Sequence, residues 1–238
     1  MSQLSISQRL HSDLARLIAN TQPGERLLAE PKLAHQLGVS RATLREAMRT
    51  FETQGMIRRK QGSGTYVTHP SGFIESGLEI LESIETIAKR TGLPVSMGRF
   101  EINNRPANQE EAEALNITTT ENVLVVTRVI NAEGCPAAYL TDVLPNDILQ
   151  PEELGEGFTG SVLDLLIKRG SPKLHNTLTE IKAVSASSEV AKALEIQRGD
   201  VLMHFISSLY TDDRQVADYS SSYFLPGYFR FHINRRIH

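Results

Sequence analysis

One cysteine in 238 residues, Cys135 in the turn-like Glu133-Gly134-Cys135-Pro136, excludes an intramolecular disulfide and any multi-cysteine metal site. No apolar stretch approaches the length that crosses a bilayer, and the polar, periodic N-terminus lacks the apolar run of a signal peptide, so a cytoplasmic chain without membrane contact is expected. There is no short-period repeat and no low-complexity tract. No nucleophile–base pair, metal-ligand spacing or phosphate-binding loop stands out, so no catalytic residue, metal or cofactor is expected.

Composition is otherwise ordinary, with 40% hydrophobic and 22% charged residues, and the length suits one mid-sized domain plus a small one. The net charge of −3 hides an uneven distribution. Residues 1–69 carry ten Lys/Arg against five Asp/Glu, and residues 70–238 carry fifteen against twenty-three. A small basic unit joined to an acidic one fits a polyanion-binding module whose partner domain repels polyanions.

Periodicity divides the chain. Leu10, Leu14, Leu17 and Ile18 stripe an amphipathic helix over 7–20, ended by Gln22-Pro23-Gly24. Leu33, Ala34 and Leu37 predict a second helix from Glu30, and Leu44, Ala47, Met48 and Phe51 a third after Gly38-Val39-Ser40. Two β-rich runs, 57–60 and 65–68, flank Gln61-Gly62-Ser63-Gly64. His69-Pro70-Ser71-Gly72 marks a boundary. The expected units are 1–69, a connector at 70–92 whose helix over 75–91 presents Leu78, Leu81, Ile84, Ile87 and Ala88, and 93–238. In the last unit, strands are predicted at 100–102, 123–130, 137–144, 175–184, 201–210 and 216–224. Helices are predicted at 108–115, near 161–169 and near 187–194. Strands mostly follow one another through turns, which favours an antiparallel sheet with helices on it and an α+β class.

The second and third helices meet the demands of a helix-turn-helix: small Ala34 at the crossing, Gly38 in the turn, and Leu33, Leu37, Val39, Leu44 and Ala47 inward. The outward residues are then Ser40, Arg41, Thr43, Arg45 and Arg49. Arginine's planar fork suits the guanine edge in a major groove, whereas hydroxyls suit phosphates, so Arg41 and Arg45 are the candidate base readers. Gly62 and Gly64 let the hairpin approach a groove, with Arg58, Arg59 and Lys60 adding charge.

The run Gly38-Val39-Ser40-Arg41-Ala42-Thr43-Leu44-Arg45-Glu46-Ala47, then Gly55-Met56-Ile57 and Gly62-Ser63-Gly64-Thr65-Tyr66-Val67, resembles the winged helix-turn-helix of the GntR family of bacterial regulators over about residues 7–68. The resemblance implies that Ser40, Arg41, Thr43, Arg45 and Gly62 contact double-stranded operator DNA and that Glu30 supports that surface. Where the family has Leu-Pro-Ser-Glu-Arg, this chain reads Leu27-Leu28-Ala29-Glu30-Pro31. Pro31 thus replaces an arginine that often touches DNA, in a first helical turn that tolerates proline.

Residues 95–235 are similar to the UTRA effector domain of the HutC branch, which shares its fold with chorismate lyase. Thr127-Arg128-Val129-Ile130, Gly134 to Tyr139, Leu144-Pro145, Ser185-Ala186-Ser187, Arg198 to Leu202, and Asp218 to Tyr223 carry the likeness. It implies a small-molecule effector, a homodimer, and effector-controlled release from DNA. Carried over residue by residue, the pocket comprises Arg128 as anion partner, Ser161, Glu180, Asp218 and Tyr223. Leu140, Ser221 and Leu225 stand where a glutamate and arginines are common, which argues against a sugar phosphate and favours a smaller or more apolar acid. Two alternatives stay open. One is an enzyme using Arg128, Glu180 and His175 for acid–base chemistry, and the other is a DNA binder without a ligand.

Overall fold

The computed structural model describes residues 5–60, 63–68, 74–155, 158, 160–235 and 237. The chain opens with three helices, α1 (Ile6–Ala19), α2 (Glu30–Gln36) and α3 (Arg41–Thr53), and a hairpin of β1 (Ile57–Lys60) and β2 (Gly64–Val67). Serines start two of these helices. Ser5 accepts from the Gln8 backbone in a reciprocal capping box, and the Ser40 hydroxyl accepts from the Thr43 N–H. Helix α2 begins at Ala29 without a side-chain cap, and Pro31 sits in its first turn, where its missing N–H loses nothing. Leu10, Leu14, Ile18, Leu33, Leu44, Met48, Phe51, Ile57 and Val67 bury one shared core.

The connector differs from expectation. In place of one helix over 75–91 there is a strand, β3 (Ile74–Gly77), then α4 (Ile84–Thr91), capped by Ser83 and closed by Gly92 in the left-handed region. Strand β3 pairs in parallel with the last strand, β10 (Phe229–His232), so the connector is tied to the far end of the chain. The apolar residues of 74–78 satisfy a strand as readily as a helix, and the partner that decides between them lies more than 150 residues away.

The rest is a six-stranded antiparallel sheet in the order β4-β5-β6-β9-β8-β7, from β4 (Val95–Pro106), β5 (Asn122–Ala132), β6 (Cys135–Pro145), β7 (Leu174–Ser185), β8 (Val201–Thr211) and β9 (Val216–Phe224). Helix α5 (Gln109–Leu115) joins β4 to β5, α6 (Val162–Arg169) precedes β7, and α7 (Ser188–Ala193) joins β7 to β8. The order 4-5-6 facing 9-8-7 is that of a duplicated strand–helix–strand–strand unit. Residues 107–118 and 186–197 match at six of twelve positions, Ala107/Ala186, Glu110/Glu189, Ala112/Ala191, Ala114/Ala193, Leu115/Leu194 and Ile117/Ile196. This internal repeat has too long a period for a search for short repeats.

The sheet is covered on both faces, which explains the unbroken Val123-Leu124-Val125-Val126. Alternate side chains point to opposite sides of a strand. Leu124 and Val126 pack with Val162 and Leu166 of α6, whereas Val123 and Val125 pack with Ala112 and Leu115 of α5. This parity decides which residues can share a site.

Candidate functional site

Two regions carry chemistry. In the first, Ser40, Arg41, Thr43 and Arg45 lie on the first turns of α3 and are exposed, with the Ser40 and Thr43 hydroxyls 2.8 Å apart. Arg45 Nε lies 2.6 Å from Glu30, and Arg59 Nη1 lies 3.9 Å from the other Glu30 oxygen. Glu30 therefore aims two arginines rather than approaching a polyanion itself. Arg41, Arg45, Glu30 and Pro31 line a cleft of about 1430 Å³ whose opposite wall holds Lys192, Glu195 and Gln197, at and beyond the end of α7.

Arg49, expected on the same outward face, is turned to the second domain. Its Nε lies 3.3 Å from the Asp200 carboxylate, and it also reaches the Arg198 carbonyl. Arg58 pairs with Glu195. Between these contacts the backbones of Gly55 and Gly227 touch, so that a Cβ on Gly227 would lie 2.2 Å from the Gly55 nitrogen. Glu52 is buried beside them, and desolvation raises its pKa, with Asp200 adding to the shift against Arg59 and Arg49. Gly62 lies outside the described residues.

The second region is a polar cluster on the α6 face. Val126 pairs in register with Asp142, and Asp142 with Ser220, so Arg128, Asp142 and Asp218 share that face by period-two alternation. Arg128 and Asp142 form a buried ion pair. Burial raises the Asp218 pKa well above the ordinary carboxylate value, and the Asp142 carboxylate beside it adds to this, favouring the neutral acid. Glu85, from the first turn of α4, enters the same electrostatic group, and its pKa is likewise raised by burial against the pull of Arg128. Asp164 accepts from the Ser83 hydroxyl at 2.6 Å, and its backbone N–H donates to Ser161, the buried cap of α6.

The five carried-over pocket residues therefore separate. Arg128, Asp218 and Ser161 belong to this cluster. Glu180 and Tyr223 do not. Glu180 is exposed on edge strand β7 and pairs with Lys182 at 2.9 Å, and Tyr223 stacks on His204 with ring centroids 4.1 Å apart. Tyr223 is an odd number of residues from Asp218 along the same strand, and Glu180 is adjacent to Thr179, which pairs with Ser207 on the cluster's side, so alternation puts both on the opposite face. Sequence reasoning missed Asp142, Glu85 and Asp164. Counting outward from the Glu133-Gly134 turn would have found Asp142, because β5 and β6 form a hairpin that sets Arg128 opposite Leu140, two pairs from Asp142 and so on the same face. Nothing local points to Glu85 or Asp164. His175 is exposed beside Asp212 at 3.6 Å, remote from Arg128, and the acid–base trio of the enzyme reading is not assembled.

A winged helix-turn-helix with a cation-rich recognition helix, carried on a separate sheet domain with a buried ionisable cluster, defines the class of DNA-binding transcription regulators with an effector domain. The model for the UTRA domain matches residues 91–230, and that for bacterial regulatory proteins of the gntR family matches residues 3–67. The chain belongs to the gntR family, in its UTRA-containing branch, and is a transcription regulator rather than an enzyme. It is 30% identical over 183 residues to the histidine utilization repressor of Pseudomonas putida, covering 75% of this chain and 70% of that protein. It is 25% identical over 224 residues to the transcriptional repressor NagR of Bacillus subtilis, covering 93% and 90%. The fold matches PhnF of Mycobacterium smegmatis with a TM-score of 0.65 at 21% identity, over 95% of this chain and 99% of that one. Among the described residues no helix is long and apolar enough to cross a membrane.

Proposed function

We propose that this protein is a cytoplasmic, homodimeric repressor whose grip on operator DNA is set by a small metabolite bound in residues 93–238. The observation that carries this reading is the direct docking of the winged domain, with its proposed DNA-reading surface, on the sheet domain that holds the buried polar cluster. Arg49 and Arg58 of the winged domain meet Asp200 and Glu195 of the sheet domain, while Asp218 lies on the strand that leads into the Gly227 turn. Two relatives are named repressors, which supports the sign of the regulation. A helix-turn-helix dimer reads two half-sites about one helical turn apart, which supports the two-fold assembly.

The proposed DNA-contacting set is Ser40, Arg41, Thr43, Arg45 and Gly62, with Glu30 orienting Arg45. Arg49 joins it once it is released from Asp200. The test is binding to DNA recovered by in vitro selection, followed by fluorescence anisotropy. Arg41→Ala and Arg45→Ala are each expected to weaken binding by about 1–3 kcal/mol, or roughly 5- to 150-fold, and to relax preference at one base position. Affinity is expected to fall steeply with salt. Salt-independent binding would overturn the reading.

A further inference from the structure

The cluster on the α6 face sets one guanidinium, Arg128, among four carboxyl groups, those of Glu85, Asp142, Asp164 and Asp218. Arg128 already has an internal counter-ion in Asp142. Three buried polar atoms here have no hydrogen-bond partner among the described residues: Arg128 Nε, Asp218 Oδ1 and Glu85 Oε1. Arg128 and Asp218 are only 6% and 7% exposed, so bulk solvent does not satisfy them. Buried polar groups are nearly always paired, and three orphans converging on one charge group mark a place for something the chain itself does not supply. Gly160 borders the group, its missing side chain leaving the Glu85 carboxylate open on that side, since a Cβ there would come within 3.2 Å of Oε1.

Building on the metabolite-responsive reading, we propose that this cluster binds a small organic cation, a protonated amine or amidine held by Glu85 and Asp218, with a neutral hydroxyl or carbonyl accepting from Arg128 Nε. An anionic ligand would have to displace Asp142 from Arg128 and then lie against the remaining carboxylates. That reverses the expectation of a smaller or more apolar acid, because Asp142, Glu85 and Asp164, which surround Arg128 with carboxyl groups, were not in the expected pocket. Among the described residues no trio of His, Cys, Asp or Glu is arranged to hold a metal ion, which leaves an organic cation. A cation also favours the ionised forms of Glu85 and Asp218, which burial otherwise disfavours, so binding releases protons.

The experiment is a thermal-shift titration of the full chain with ethanolamine, putrescine and agmatine, set against glycolate, succinate and inorganic phosphate. At least one amine is expected to raise Tm by about 2–4 °C, with an enthalpy that depends on the buffer's own ionisation enthalpy. The shift should vanish in Asp218→Asn and in Glu85→Gln. Asparagine keeps the shape of the Asp218 side chain and carries no charge, as the neutral acid that burial favours does, so Asp218→Asn serves as the principal control. No shift from any amine, or a shift that survives both substitutions, overturns the proposal. A shift from glycolate, succinate or phosphate that depends on Arg128 also overturns it. That last result would leave a metabolite-responsive regulator standing, whereas that reading fails separately, in the DNA-binding assay.

Discussion

Asp218 illustrates how one buried carboxyl links stability to pH. It faces Asp142 and Arg128, with Glu85 and Asp164 in the same group, and its pKa is held well above the unfolded value by burial first and by Asp142 second. The folded state therefore binds a proton that the unfolded state releases, so stability is full below the ordinary carboxylate pKa and declines as pH rises toward the folded pKa. Across that window the loss has a limiting slope of about 1.4 kcal/mol per pH unit. Asp218→Asn is expected to flatten this part of the urea-denaturation profile between pH 4 and neutrality and to leave the variant the more stable protein at neutral pH. A profile of unchanged slope would show that Asp218 is ionised in the fold. At this scale the exposed face at the start of α3 was legible from spacing, because Ser40, Arg41, Thr43 and Arg45, the side chains proposed to read DNA, follow a recognisable turn. The polar cluster was legible only in part, since it is completed by Glu85 from another element and by counter-ions that only the strand register reveals.

At the scale of elements, hydrophobic periodicity located most helices and strands within a few residues, because those segments bury a periodic face close to home. Strands β3 and β10 escaped it, because each is four residues long and their pairing joins positions more than 150 residues apart. The duplicated unit explains a backbone feature. Just beyond helices α5 and α7, the corresponding residues Asn116 and Glu195 both have φ of +55°. Asparagine tolerates that left-handed conformation, but glutamate has no local reason to adopt it, at a strain of about 1–2 kcal/mol. Glu195 is also the residue that reaches across to Arg58. Its side chain is 59% exposed, so the ion pair by itself contributes little, about 0–1 kcal/mol. Glu195→Asn is therefore expected to stabilise the sheet domain slightly in a denaturant titration. The same substitution should raise hydrogen exchange around Arg58 by loosening the winged domain. A loss of sheet-domain stability would mean that the strain is illusory.

For the whole molecule, the decisive fact is that Arg41 and Arg45 face a cleft closed on its other side by the end of α7. A recognition helix enters a major groove about 12 Å wide, with phosphate backbones on either side, so on the proposed reading the winged domain swings out of this docked arrangement to engage a duplex. What holds it docked is chiefly the backbone contact of Gly55 with Gly227 and the pairing of Arg49 with Asp200, whose side chain is 4% exposed. Gly227 lies three residues beyond the end of β9, the strand that carries Asp218, so the cluster and the docking contact share one continuous segment. In Gly227→Ala the new Cβ would meet only backbone, 2.2 Å from Gly55 N and 2.3 Å from the Gln54 carbonyl carbon, and neither can move aside as a side chain tip can. Such overpacking costs about 1–3 kcal/mol, which shifts the balance toward the undocked arrangement roughly 5- to 150-fold. The variant is expected to show a larger radius of gyration in solution scattering and faster exchange at the end of α3. It should retain the amine-dependent rise in Tm, because the cluster is untouched. Its DNA affinity, however, should no longer respond to that amine. An amine that still shifts DNA affinity in Gly227→Ala would show that the signal travels by another route, through the Arg128 and Glu85 side of the cluster and α4 rather than through β9 and its turn.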